Sequence, residues 1–256
     1  MRTSLRLAGA MAAAALPLAM FPAAAQADHA NGEYSSRLDP QNGSGGSGMV
    51  TVSIDGDQAT VNLNYDGLAE QFDGGPFPHV QHIHIGGQGT CPTPADDENG
   101  DGVVSTPEGQ ASYGGIGTTL STKGSTGPEE GTNIQLAPGG GSADYSRTFT
   151  MNDDTLDALA NGSGVVVVHG LDPSTLSQEA QNAKSPLVPE LPLAATAPAL
   201  CGSIATMPSG GVATGSGSTS GMEDLGLLGG GAALVLGGGA LYAANRRFRT
   251  DAVEAR

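Results

Sequence analysis

The sequence predicts an all-β domain, a sandwich or barrel of short strands, with one apolar helix near the C-terminus. Apolar and polar residues alternate on both sides of an Asp-Gly pair, the pattern of a hairpin with one buried face. Further short strand patterns follow, and only one window has helical periodicity, so the strands must pack on each other. Composition sets the size: with 41 glycines, 16 prolines, five Tyr, five Phe and no Trp among 256 residues, less than the full length can form a packed core.

In the hairpin, Val50, Val52 and Ile54 alternate with Thr51 and Ser53, Asp55-Gly56 interrupts, and Ala59, Val61, Leu63 and Tyr65 alternate with Thr60, Asn62 and Asn64. A strand pattern precedes it at 33–38, and others follow at 80–85 and 145–151. A continuous apolar run at 165–168 reads as a further strand. Residues 153–160 predict the one helix of this region, with Asn152 or Asp153 able to cap it and Asn161-Gly162 able to end it. Four prolines between 186 and 198 argue for an extended covering loop rather than a ladder strand.

The two ends address a membrane. Residues 1–27 carry Arg2 and Arg6, an apolar run over 7–20 and the ending Ala25-Gln26-Ala27, the layout of a cleaved export signal. Residues 225–244 hold no charge and would span about 30 Å as a helix, the thickness of a bilayer's hydrocarbon core. Arg246, Arg247 and Arg249 follow, which keeps that side cytoplasmic and the remainder outside. Residues 203–224, rich in Gly, Ser and Thr, read as a flexible stalk. This leaves 28–202 as an exported domain and 245–256 as a cytoplasmic tail of a single-pass cell-membrane protein. The formal charge is −16, and residues 28–224 hold 24 acids against Arg37, Lys123, Arg147 and Lys184. Such a chain is no basic nucleic-acid binder. The membrane is the expected partner, and no protein or cell-wall partner is specified.

Three constellations carry chemistry. Side chains two apart on a strand share a face, so His82 and His84 can converge on one ion while Ile83 points into the core. His169 ends the later Val-rich run, and His79 would join as a further ligand if a bulge or strand end turned it round. Imidazoles suit copper or zinc. Residues 97–108 match a twelve-residue calcium loop of EF-hand type: Asp97, Asn99 and Asp101 at positions 1, 3 and 5, Gly102 at 6, the Val103 carbonyl at 7, Ser105 at 9 and Glu108 at 12. No helix pair flanks it: Cys91-Pro92-Thr93-Pro94 cannot form an entering helix, and Gly109 is expected to break the exit. Structural calcium at the roughly millimolar affinity of extracellular modules follows. The two cysteines, Cys91 and Cys201, are expected to join in an oxidising compartment.

Taken in order, His82-Ile83-His84, Cys91, the Val-Val-Val-His169 strand and Leu200-Cys201-Gly202 resemble the copper/zinc superoxide dismutase family. In that family a His-x-His strand and a later Val-Val-His strand ligate copper. A cysteine after the first strand bridges to one in a Leu-Ala-Cys-Gly segment. The N-terminal half, a hairpin leading into a His-Ile-His strand, is similar to the related chordin-type (CHRD) domain, which has no settled enzymatic chemistry. The resemblance implies an eight-stranded Greek-key barrel with long loops. It puts His82, His84 and His169 in the copper-ligand positions and bonds Cys91 to Cys201; once the chain closes, the three imidazoles are expected to meet at one point inside the barrel. Two departures matter. Between Cys91 and Lys123, where the dismutases place a bridging histidine and zinc ligands, there is no histidine, which argues against zinc. Pro198 stands where those enzymes place an arginine that guides superoxide, with Lys184 in the preceding loop as a candidate substitute.

The leading expectation is therefore a membrane-anchored extracellular metal-binding β-domain, with calcium in the 97–108 loop and copper on the histidines. The alternatives are a copper-dependent superoxide dismutase and a surface adhesion or spacer module that uses calcium for rigidity.

Overall fold

The computed structural model describes residues 31–207. The expected export signal, membrane span, tail and all of the stalk beyond Met207 lie outside them. No helix among the described residues is long and apolar enough to cross a membrane. The strands are β1 (Gly32–Pro40), β2 (Ser47–Asp55), β3 (Gln58–Asp66), a short ribbon of β4 (Gln71–Phe72) and β5 (Gly75–Pro76), β6 (Gln81–Gly86), β7 (Gly114–Thr119), β8 (Ala143–Thr150), β9 (Val165–His169), β10 (Pro198–Ser203) and β11 (Ala205–Thr206). Apart from the ribbon they form one antiparallel sheet in the order β7-β6-β9-β10-β1-β2-β3-β8, with β11 beside β1. Hairpins join β1 to β3. Long crossovers carry β3 to β6 and β8 to β9, the connection style of a Greek key.

The expected closed barrel is observed as a curled sheet with one seam, because β7 and β8 are its edges. Side chains bridge the seam. The Arg147 guanidinium donates to the Ser121 carbonyl at 2.6 Å and hydroxyl at 2.9 Å, and Asn152 Nδ2 donates to the Gly117 carbonyl at 2.8 Å. The fold also runs past Gly202, since Ile204 is buried and β11 pairs with Tyr34 and Ser35.

Four helices sit between strands: α1 (Thr106–Tyr113), α2 (Asp153–Ala160), α3 (Gln178–Asn182) and α4 (Leu193–Thr196). The helix expected at 153–160 is α2. Asn152 caps it, its side chain accepting from Thr155 N at 2.9 Å, which satisfies one of the open N–H groups of the first turn. Leu156 and Leu159 of α2 join the core inside the curl, with Val50, Val52, Val61, Leu63, Ile83, Val166 and Val168. The segment expected to cover the domain as an extended loop does lie over it, but it contains the single turn α4, and Pro198 opens β10. A strand's first position is one that proline tolerates.

Alternation along β6 and β9 divides their side chains between two faces. Ile83, Val166 and Val168 enter the main core. Val165 and Val167 instead face outward and pack with Tyr113, Cys201 and Cys91 in a second small cluster. The disulfide Cys91–Cys201 belongs to that outer cluster. The histidines share this outer face.

Candidate metal centre

Antiparallel register sets His82 opposite Val167 and His84 opposite Val165, and His169 lies two residues beyond Val167 on the same face. One ring nitrogen from each of His82, His84 and His169 lies within 4.8 Å of the others, and ring centroids are 5.1 to 6.0 Å apart. The three are buried, at 2 to 3% exposure. They meet on the outside of the curled sheet, beneath loops, and not inside the barrel as expected. The reason is parity: Ile83 takes the core-facing position, so both neighbours of Ile83 must face outward.

Each ring is held by a backbone carbonyl. His82 Nε2 bonds the Gly131 carbonyl at 2.9 Å, His84 Nδ1 the Gly114 carbonyl at 3.1 Å, and His169 Nδ1 the Thr196 carbonyl at 2.7 Å. A carbonyl can only accept, so each ring carries its proton on that nitrogen. The opposite nitrogens, His82 Nδ1, His84 Nε2 and His169 Nε2, are buried without a hydrogen-bond partner. An unmet buried acceptor costs about 1–3 kcal/mol, and here three share one spot. Carbonyl-anchored imidazoles with the other nitrogen open are the arrangement of metal-ligating histidines. Burial, reinforced by the neighbouring rings, holds the His82 pKa well below its ordinary value. Burial and His169 bring His84 down to about 3, and burial brings His169 down to about 4. The rings are therefore neutral and able to donate lone pairs at neutral pH.

His79 stands apart from this group. Its Nδ1 bonds the His169 carbonyl at 2.8 Å and its Nε2 the Ala69 carbonyl at 2.9 Å, and its ring stacks on Phe77 at 4.6 Å. A neutral ring donates to only one of these carbonyls, but both nitrogens are turned to the main chain and away from the other three rings, so His79 does not join them as a further ligand and instead positions the His169 main chain. Lys184 is exposed and does not line the cavity over the histidines, so it does not replace the arginine absent at Pro198.

The 97–108 loop takes a different form. Asp97 accepts from the Gly100 and Gly102 amides at 2.9 Å, Asn99 from Asp101 N at 2.8 Å, and Asp101 from Val103 N at 2.9 Å. Gly102 adopts φ +91°, the left-handed turn expected at the sixth position. Among the described residues Asp97, Asp101 and Glu108 do not gather into a second metal-binding group. Gly109 does not break the exit: Thr106–Tyr113 is helix α1, with Ser105 and Glu108 in a reciprocal capping box. A Cβ at Gly109 would meet the Tyr113 ring at 2.5 Å, so glycine there makes room for Tyr113, which donates to the Thr106 carbonyl at 2.7 Å. The entering side is a single 3₁₀ turn, Pro94–Asp96.

Sequence reasoning missed the groups that orient the histidines. Gly131, Gly114 and Thr196 act through their carbonyls, which every residue type possesses, so no side-chain pattern could reveal them. Asn42 was missed as well: it accepts from Val104 N at 2.8 Å and donates to the Pro198 carbonyl at 2.9 Å, tying the end of the loop to β10.

No family model matches the sequence, and no curated protein matches it. Two solved structures of superoxide dismutase 5 from Candida albicans, one a point mutant and one the Cu(II) form, align over 74% of this chain and 99% of theirs. Identity is 12%, and the TM-scores are 0.38 and 0.39.

Proposed function

We propose that this protein is a metal-binding β-domain whose His82, His84 and His169 hold one copper ion. The observation that supports the reading is the trio of buried, unpartnered nitrogens, each on a ring whose other nitrogen is anchored to a carbonyl. Three neutral imidazoles suit copper, which heads the affinity order of divalent first-row ions. Copper bound there supplies a redox-active Lewis acid. The chain's own residues hold the rings, fix their protons away from the centre and keep the site dry. Superoxide is a poor substrate for this site, since none of the residues lining the cavity above it is Arg or Lys, and focusing an anion needs a positive group.

The sequence supports the remainder of the reading: a calcium ion in the 97–108 loop, from its matching positions, and tethering through 225–244 with the domain exported. The test is elemental analysis of the full-length chain after copper loading and dialysis. One retained equivalent is expected in the parent chain and none in the triple variant His82→Ala, His84→Ala, His169→Ala. Equal retention in both would remove the histidines from the assignment.

A further inference from the structure

The carbonyls that hold the three rings come from separate segments, but one helix joins two of them. At its C-terminal end α1 holds His84 twice: the Gly114 carbonyl accepts from His84 Nδ1 at 3.1 Å, and the Tyr113 ring meets the His84 ring edge-on at 4.6 Å between centroids. At its first residue α1 reaches His169 through one atom. The Thr106 hydroxyl donates to the Thr196 carbonyl at 2.6 Å, and the same carbonyl accepts from His169 Nδ1 at 2.7 Å. A carbonyl oxygen has two lone pairs, so these two donors occupy it fully.

The hydroxyl of Thr106 has no part in starting α1. Ser105 is the N-cap and forms the capping box with Glu108, whereas the Thr106 bond leaves the helix for a residue 90 positions away in the chain. The side chain of Thr196 does not compete for its own carbonyl, because its hydroxyl donates to Ser185 Oγ at 2.7 Å. An isolated helix of 8 residues is marginal, and α1 is braced from end to end by Tyr113, whose hydroxyl donates back to the Thr106 carbonyl at 2.7 Å. His84, Tyr113, Thr106, Thr196 and His169 thus form one connected chain of contacts. Without the Thr106 hydroxyl, the Thr196 carbonyl at the end of the single turn α4 keeps only its bond to His169, and the link from α1 to the His169 ring is broken.

We propose that Thr106 is a positioning residue of the histidine site: its hydroxyl fixes the Thr196 carbonyl, and that carbonyl aims the open nitrogen of His169 at the point it shares with His84. The consequence for copper rests on the metal-site reading above. The order of the His169 ring in the metal-free chain does not.

The test uses the full-length chain as parent, Thr106→Val, Thr106→Ser and, as a control, Thr155→Val, which removes a buried hydroxyl bonded to Thr118 at 3.0 Å and to no histidine carbonyl. Thr106→Val keeps the shape and removes the donor, and Thr106→Ala carries the same comparison if the valine variant does not fold. In the metal-free chain, nitrogen-15 spectra follow exchange of the His169 Nδ1 proton with water. About tenfold faster exchange is expected in Thr106→Val, the effect of one lost hydrogen bond, with parent rates in Thr106→Ser and Thr155→Val. In the copper-loaded chain, Thr106→Val is expected to weaken copper about tenfold, the lower end of what partners of ligating histidines contribute. It is also expected to change the Cu(II) electron paramagnetic resonance spectrum, and serine should restore both. Unchanged ring exchange in Thr106→Val overturns the proposal. So does equal impairment in Thr106→Ser, which makes the methyl group the cause, or in Thr155→Val, which marks general loosening. An altered ring in Thr106→Val with no copper retained by the parent chain defeats the metal reading and leaves the positioning role standing. Copper retained with an unchanged ring and spectrum in Thr106→Val defeats the positioning role and leaves the metal site standing.

Discussion

The histidine cluster and the 97–108 loop are both patterns of metal-ligand residues, and the structure treats them in opposite ways. At the cluster, each ring has one nitrogen capable of accepting, that nitrogen is buried, and nothing satisfies it. In the loop, carboxylate and amide oxygens each have two acceptor positions, lie near solvent, and already receive the loop's own N–H groups. A shortage exists in the first case and not in the second. The difference teaches that a ligand is demanded where protein and water together leave an acceptor unmet, and that spacing alone does not create the demand. The loop's order is also explained without any ion, since Glu108 accepts from Ser105 N at 2.8 Å and from its hydroxyl at 2.6 Å to start α1.

Acid separates the two regions most strongly. Unfolded histidines titrate near 6.5, whereas His169 and His84 in the fold are depressed to about 4 and about 3. Above pH 6.5 both states are neutral and the histidines contribute no pH dependence. As pH falls from 6.5 toward the folded values, the unfolded chain takes protons that the folded chain refuses, so stability declines and levels off only below them. At pH 4 these two groups together cost on the order of 6 kcal/mol. Urea melts of the metal-free chain between pH 7 and 4 are expected to show this loss. Replacing both residues by asparagine should reduce the loss, leaving the part due to His82, whose burial also holds its pKa well below the ordinary value, and a parent curve that is already flat would mean the rings are open to water.

Copper gives the next largest effect. At a free concentration one thousand times its Kd, a ligand that binds only the folded state adds about 4.1 kcal/mol, or about 8–16 °C in Tm for a domain of this size. That rise is expected in the parent chain and absent in His169→Ala. A rise that survives the substitution would place the copper elsewhere, and a calcium response that disappears with His169 would mean the two regions are coupled.

The same distinction governs what was legible in the sequence. Strands β2 and β3 announce themselves because one face is buried and the other wet, so residues such as Val50 and Thr51 alternate. Strand β7, Gly-Gly-Ile-Gly-Thr-Thr, is silent: Gly114 and Gly117 stand where a Cβ would be crowded, against the Ile85 backbone and against α2. A Cβ at Gly117 would meet Thr155 Oγ1 of α2 at 2.6 Å. Strand β10 is buried along nearly its whole length, which removes alternation. For the site, residue identity made His82, His84 and His169 visible, and strand parity correctly opposed them to Ile83. The side of the sheet on which they meet follows from that parity, whereas their orienting carbonyls lie at the first residue of β7, at Gly131 and at the end of α4. Those carbonyls have no side-chain signature. The expected interior meeting point fails because Ile83, Val166 and Val168 fill that side of the sheet.

Calcium is the smallest effect and the one that tests the loop's side of the contrast directly. With an affinity near 1 mM, 10 mM calcium stabilises the folded chain by about 1.4 kcal/mol, or about 3–6 °C. Asp97→Asn keeps one side-chain oxygen to accept from the Gly100 amide, gives up the acceptor for the Gly102 amide and removes the charge at the first ligand position. Its calcium-free Tm should therefore stay close to the parent's, because the bonds involved are exposed and each is worth about 1 kcal/mol or less, while the calcium increment disappears. If calcium leaves the parent Tm unmoved, the 97–108 segment is a capped turn whose acids serve the N-terminus of α1. The unsatisfied nitrogens of His82, His84 and His169 would then be the stronger ground for a metal in this domain.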